Sequence, residues 1–297
     1  MTTSPTPQPD AIHFTLPDVD IHGLRWGAPG SPNKVIALHG WLDNCASFSR
    51  LLPLVPDIDC VALDLAGHGR SGHRAGHSAY NIWEDLRDIH AIAEQLGWSS
   101  FFLLGHSRGA AVAMLYSGTF PDTVRGAFMI DGLVPMPGSV AQLPANLADA
   151  IRAMRSVHQT TPAPSYFEDY DAATEARTKG AFPLSPTAAG LLAERAVCND
   201  AERGYYWHYD RRLKLPSELR LTLQQSVAFL DNLPTPVAVV VASQGVLPRL
   251  AASVLKDGHR NVELLPMDGG HHLHVADDEA TRVRIAEAFM SYVAARA

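Results

Sequence analysis

The stretch FFLLGHSRGAAVAML, residues 101–115, sets a polar pentapeptide between two apolar runs. Phe101 to Leu104 has the length and uniform apolarity of a strand buried on both faces. From Ser107 to Thr119 the chain is alanine-rich and reads as a helix, stopped before Pro121. Between them lies Gly105-His106-Ser107-Arg108-Gly109. A plain tight turn would use the glycines. A strand-to-helix turn that lifts a serine hydroxyl off the end of a sheet uses the serine as well, because residues two places on either side must be small. The helix that follows adds partial positive charge where an oxyanion would form. A serine hydroxyl is a poor nucleophile at neutral pH, so this reading requires a base elsewhere in the chain.

Outward from this stretch, strand-like runs recur at wide spacing: AIHFTL, DIHGLRW, NKVIALHG, IDCVALDL and RGAFMIDG, then TPVAVVVAS and RNVELLPM after a gap. Helical patterns separate them. In YNIWEDLRDIHAIAEQLGW, Ile82, Leu86, Ile89, Ala93 and Leu96 share one face, and Gly97 suits a C-cap. A last helix over about Glu279 to Ala295 turns Val283, Ile285, Phe289 and Val293 inward. Alternating strands and helices imply a mostly parallel, doubly wound sheet. From Pro135 to about Asn232 no convincing strand is found, only helical stretches joined by Pro- and Ser-rich loops. The expected organisation is an α/β core over 11–134 and 232–297, a helical cap over 135–231, and a loose tail over 1–10.

Composition narrows the function. The 297 residues carry a formal net charge of -7 and no dense Lys/Arg run, which argues against nucleic acid and anionic membranes as partners. The stretch ERGYYWHYDRRLKLP, 202–216, interleaves aromatics with Arg, but one such segment in an acidic chain reads better as packing. Three widely spaced cysteines, Cys45, Cys60 and Cys198, make neither a disulfide framework nor a zinc set. The opening MTTSPTPQPD lacks the pattern of a signal peptide, and no apolar run is long enough to span a bilayer. A soluble cytoplasmic protein is expected.

Two further motifs supply partners for Ser107. In ALHGWLDN a strand ends at His39-Gly40-Trp41. The backbone N–H groups of Trp41 and Arg108 would pair as oxyanion donors, each contributing about 3 kcal/mol in a transition state. His39 itself reads as a residue that orders the loop. In MDGGHHLHVAD, the imidazole best placed to act as base is His271, directly after Gly269-Gly270. His272 would then pack on the pocket wall with Trp41 and His106, and His274 would be structural. A metal held by this cluster is disfavoured, since no carboxylate or cysteine partner accompanies it, and neither metal nor cofactor is expected. Asp64 reads as a structural carboxylate holding its loop through Arg70 or backbone N–H groups. Arg108 opposes the helix dipole and reads as the partner of a core carboxylate, with an anchor for an acidic substrate as the sharper reading.

Taken together, LHGWLDN, ALDLAGHGRSG, GHSRGA and GGHHLH resemble the α/β-hydrolase superfamily over residues 11–297, and its serine hydrolase-like branch most. The resemblance implies a sheet of about eight strands with a helical cap, and the chain order serine, acid, histidine. The acid departs from the usual pattern. The strand after the cap ends in VVVASQGVLPR and offers Ser243 and Gln244 but no carboxylate before Asp257. Asp131, ending the preceding core strand in FMIDGL, is the other position from which this fold supplies an acid, although an Asp before Gly also caps turns. Asp268 lies too near His271 in sequence to reach its Nδ1. The expected activity is cofactor-independent hydrolysis of a carboxylic ester or similar small acyl compound by Ser107, His271 and Asp131. Cleavage of a C–C bond, lactone or amide by the same residues stands as an alternative. So does a degenerate hydrolase fold that only binds a small molecule. Dehalogenase and epoxide hydrolase chemistry would need a carboxylate where Ser107 stands.

Overall fold

A computed structural model describes residues 8–75, 79–160, 163–179, 182–247 and 258–297. An eight-stranded sheet organises them, ordered β1-β2-β4-β3-β5-β6-β10-β11. β1 (Asp10–Thr15) and β2 (Asp20–Gly27) pair antiparallel at one edge, and β2 pairs antiparallel with β4 (Asp59–Leu63). From β4 onward every pairing is parallel: β3 (Lys34–Leu38), β5 (Phe101–His106), β6 (Val124–Ile130), β10 (Val237–Gln244) and β11 (Val262–Gly270). β1 starts at Asp10, the last residue of the expected tail, and residues 1–7 of that tail lie outside the described residues.

The central strands are apolar throughout because both faces are covered. Along β3 and β5 the side chains alternate between two cores. Ile36, Leu38, Phe101 and Leu103 join one, with helices α1 (Ile82–Gln95) and α2 (Arg108–Thr119). Val35, Ala37, Phe102 and Leu104 join the other, with the C-terminal helix α7 (Glu279–Ala294) through Ile285 and Phe289. Phe101 and Phe102 are completely buried. Each contributes roughly 1.5–3 kcal/mol by leaving water, and truncating either to Ala would cost about 3–5 kcal/mol. The frame holding the ends of β3, β5, β6 and β10 is therefore stiff.

Between β6 and β10 lies the insertion. It contains α3 (Leu143–Thr160), α4 (Tyr170–Glu175), α5 (Pro186–Ala196) and α6 (Leu223–Asp231). It also contains a small antiparallel sheet, ordered β7-β9-β8, from Tyr166–Phe167, Gly204–Trp207 and Val197–Asp200, which corrects the strandless reading of this region. These strands are two to four residues long, too short to display an alternating pattern. A separate core of Leu184, Ala189, Leu192 and Trp207 supports them. Helix α6 differs from the rest of the insertion. Phe229 and Leu230 pack with the core helices, and Asn232 Nδ2 donates to the Gly118 carbonyl at the end of α2. The core thus resumes at α6 rather than at residue 232.

Candidate active site

Ser107 stands between β5 and α2 with φ 51° and ψ -113°, a conformation that non-glycine residues rarely adopt. Close approach explains the flanking glycines. A Cβ on Gly109 would lie 2.0 Å from the Leu38 carbonyl oxygen, and one on Gly105 would lie 2.6 Å from Ala110 Cα. The Ser107 N–H donates to the Ile130 carbonyl at 3.0 Å, which ties the turn to the end of β6. Arg108 opens α2, so its N–H has no helical acceptor. The Trp41 N–H, beyond the end of β3, donates to no backbone carbonyl among the described residues.

Asp131 follows β6 with φ 42° and is wholly buried. Its Oδ2 lies 2.6 Å from His271 Nδ1. The same carboxylate accepts N–H groups from Val246 at 2.8 Å, Ala242 at 3.3 Å and Leu247 at 3.4 Å. The loop after β10, which lacks an acid of its own, therefore holds an acid contributed by β6. Gly245 makes this approach possible, since a Cβ there would lie 2.1 Å from Asp131 Oδ2. A carboxylate only accepts, so His271 carries its proton on Nδ1 and leaves Nε2 with a lone pair. Gln244 and Asp268 are exposed and bond to neither residue, and Asp257 lies outside the described residues.

Ser107, Asp131 and His271 all border one cavity of about 750 Å³. Trp41 borders it too, 46% exposed, with its indole Nε1 donating to the Leu213 carbonyl at 3.0 Å. No hydrogen bond among the described residues yet links Ser107 Oγ to His271 Nε2; in ligand-free sites such contacts are often long. The walls are mainly apolar, including Trp83, Met136, Met154 and Leu219. Phe182, from the insertion, sets its ring 4.8 Å from that of His271.

His106 and His272 do not border this cavity, contrary to expectation, because both point into the packed region behind His271. His106 Nε2 donates to the His271 carbonyl at 2.9 Å and so fixes the backbone of that loop. His272 Nε2 donates to Asp43 Oδ2 at 3.2 Å. Asp43 also takes Arg177 from the insertion at 2.6 Å. Burial opposes the charge on Asp43, but His272, Arg177 and His106 outweigh it and hold the carboxyl well below its usual range. Asp43, Arg177 and the N–H groups after β10 are absent from the sequence-based site. Gly245 beside an acid-free loop was the one available signal for the last of these.

His106, His271 and His272 bring ring nitrogens within 4.8 Å of one another, a spacing that a transition-metal ion can bridge. One nitrogen of each is committed to the hydrogen bonds just described, so a metal would have to use the remaining nitrogen of His271, the one left for Ser107. His39 is neutral and satisfied: its Nδ1 donates to Gly40, its Nε2 accepts from Leu65, and burial lowers its pKa. Asp64 accepts from the Cys45 and Arg70 N–H groups, as expected of a structural carboxylate, and also pairs with Arg195 of α5 at 2.8 Å. Arg108 pairs with Asp85 of α1 at 2.6 Å.

The family model described as alpha/beta hydrolase fold matches residues 33–209, more than half of the chain. The chain belongs to the α/β-hydrolase family. Within it, the chain falls in the serine hydrolase-like branch. A serine hydrolase-like protein of Danio rerio is 29% identical over 293 residues, covering 94% of this chain and 88% of the relative. The lipase LipV of Mycobacterium tuberculosis is 27% identical, covering 85% and 91%. Among solved structures, a hypothetical protein of Pseudomonas aeruginosa PAO1 superimposes with a TM-score of 0.90 at 38% identity, covering 97% of this hydrolase and 99% of that chain.

Proposed function

We propose that this α/β-hydrolase cleaves a carboxylic ester or related acyl compound through an acyl-enzyme on Ser107. The observation that carries the reading is the 2.6 Å contact between His271 Nδ1 and Asp131, on the same cavity as a serine raised at a strained turn. Ser107 Oγ attacks the acyl carbon while His271 Nε2 takes its proton. Asp131 keeps the imidazole in the required tautomer and stabilises the imidazolium that forms. The Trp41 and Arg108 N–H groups receive the oxyanion, and the proton on His271 then passes to the leaving alcohol. Water repeats the sequence on the acyl-enzyme, releasing the acid and restoring Ser107.

The apolar lining supports an acyl group with a hydrocarbon body, and a volume of about 750 Å³ is that of a pocket for a whole small molecule. A fluorophosphonate probe tests the assignment. Wild type is expected to label and Ser107→Ala to remain unlabelled, and a p-nitrophenyl ester series then reads the preferred chain length. An unreactive wild type would sink the proposal and favour a fold that binds without turnover.

A further inference from the structure

We propose that a cationic recess beside the Ser107 cavity takes an anionic group, a carboxylate or a phosphate, carried by the otherwise apolar acyl substrate. The inference rests on the serine hydrolase reading above and extends it to a substrate class.

The recess has a volume of about 260 Å³, and Arg177, Arg211 and Lys214 line it together with Leu42 and Tyr209. No carboxylate occurs among its described lining residues. The Arg177 charge is answered by Asp43, although its Nε is buried without a hydrogen-bond partner. The Lys214 ammonium has only the neutral Tyr209, with 2.6 Å to the hydroxyl and 4.6 Å to the ring centroid. The Arg211 guanidinium makes no hydrogen bond or ion pair among the described residues. Two cations are therefore unbalanced at one partly enclosed place, on a chain whose formal net charge is -7. Their mutual repulsion is relieved by an anion that accepts from both.

The recess adjoins the large cavity. Lys214 borders both, and the hydrogen-bonded Trp41 and Leu213 of the large cavity are followed in the chain by Leu42 and Lys214 of the recess. Four cations border the large cavity: Lys214 is shared with the recess, and Arg220, which makes no ion pair among the described residues, stands alone there, two residues from Glu218. Arg108 is paired with Asp85, and Arg212 is paired with Asp210 at 2.6 Å. A substrate with its hydrocarbon part against Trp83, Met136 and Leu219 would thus meet two unbalanced cations together at the recess, Arg211 and Lys214, against the single Arg220 within the large cavity.

The test uses the full chain, as wild type and as the Arg211→Gln, Lys214→Gln double variant. The substrates are p-nitrophenyl octanoate, which is neutral, the mono-p-nitrophenyl ester of octanedioic acid, with its anion on the acyl side, and octanoyl-coenzyme A, with its anions on the leaving group. The double variant is expected to lose about tenfold in kcat/KM on one of the anionic substrates relative to the neutral ester. Which one suffers assigns the anion to the acyl or the leaving side. Equal losses on all three, or none, would overturn the inference. A second measurement is independent of turnover: calorimetric titration of Ser107→Ala with octyl phosphate and with 1-octanol. Tighter binding of octyl phosphate, abolished by adding the two Gln substitutions, supports the recess, and equal affinities overturn it. A chain that passes this titration but hydrolyses no ester would retain the recess and lose the hydrolase reading.

Discussion

At the scale of single residues, strain and chemistry coincide. Ser107 and Asp131 are two of the four non-glycine residues with positive φ among the described residues, conformations that cost about 1–3 kcal/mol each and persist only where the surroundings enforce them. Asp131→Asn keeps the shape but presents an amide that favours the opposite tautomer of His271. Under the proposed mechanism, kcat on a p-nitrophenyl ester should fall about 10⁴-fold while circular dichroism stays native. Arg108→Met tests a structural role instead. It strands Asp85, whose side chain is 5% exposed, and should lower the unfolding free energy by about 1–3 kcal/mol in urea titration. An unchanged midpoint would mean that Asp85 finds another partner. Ser107 and its glycines were readable in sequence because the constraint on the turn is local. The side to which a loop histidine turns is not local, and so His106 and His272 were expected in the pocket although they pack behind it.

At the scale of elements, the insertion is joined to the core by two ion pairs and a carboxylate hydrogen bond that no spacing rule reveals. Arg195 on α5 reaches Asp64 after β4, Arg177 reaches Asp43 after β3, and Asp210 accepts the Tyr80 hydroxyl at 2.8 Å. Asp64 is fully buried, and removing its cation leaves a carboxylate with backbone donors alone. Arg195→Met is therefore expected to cost about 3 kcal/mol in chemical denaturation. If it also raises KM for ester substrates, this pair helps set the position of the insertion over the cavity. All eight strands of the main sheet were foreseen, the central ones because apolar runs buried on both faces advertise themselves. The strands of the insertion were not, because β9, Gly-Tyr-Tyr-Trp, reads as an aromatic cluster until β8 is laid beside it. Nor was the affiliation of α6, which depends on the groove that α2 offers to Phe229.

At the scale of the whole molecule, the histidines decide how the fold responds to acid. His39, His68, His106 and His274 are buried, and desolvation lowers the pKa of each, that of His274 to about 3. The unfolded chain binds protons at these residues below about pH 6.5, whereas the folded chain does not. Their contribution to stability is thus complete above that pH and is lost as pH falls toward the folded-state values. Each linked proton steepens the loss by as much as about 1.4 kcal/mol per pH unit. Asp43, held below its usual range, acts in the same sense, but only as pH approaches about 4 and below. The melting temperature should accordingly be level above about pH 7 and fall with increasing slope toward about pH 5. His274→Leu isolates one term, because neither nitrogen of that ring has a hydrogen-bond partner beside Phe48. The substitution should leave stability at neutral pH nearly unchanged and reduce the acid slope by about one proton. A slope identical to wild type would mean that His274 is protonated in the folded chain, and the histidine cluster would then have to hold a buried positive charge next to His271.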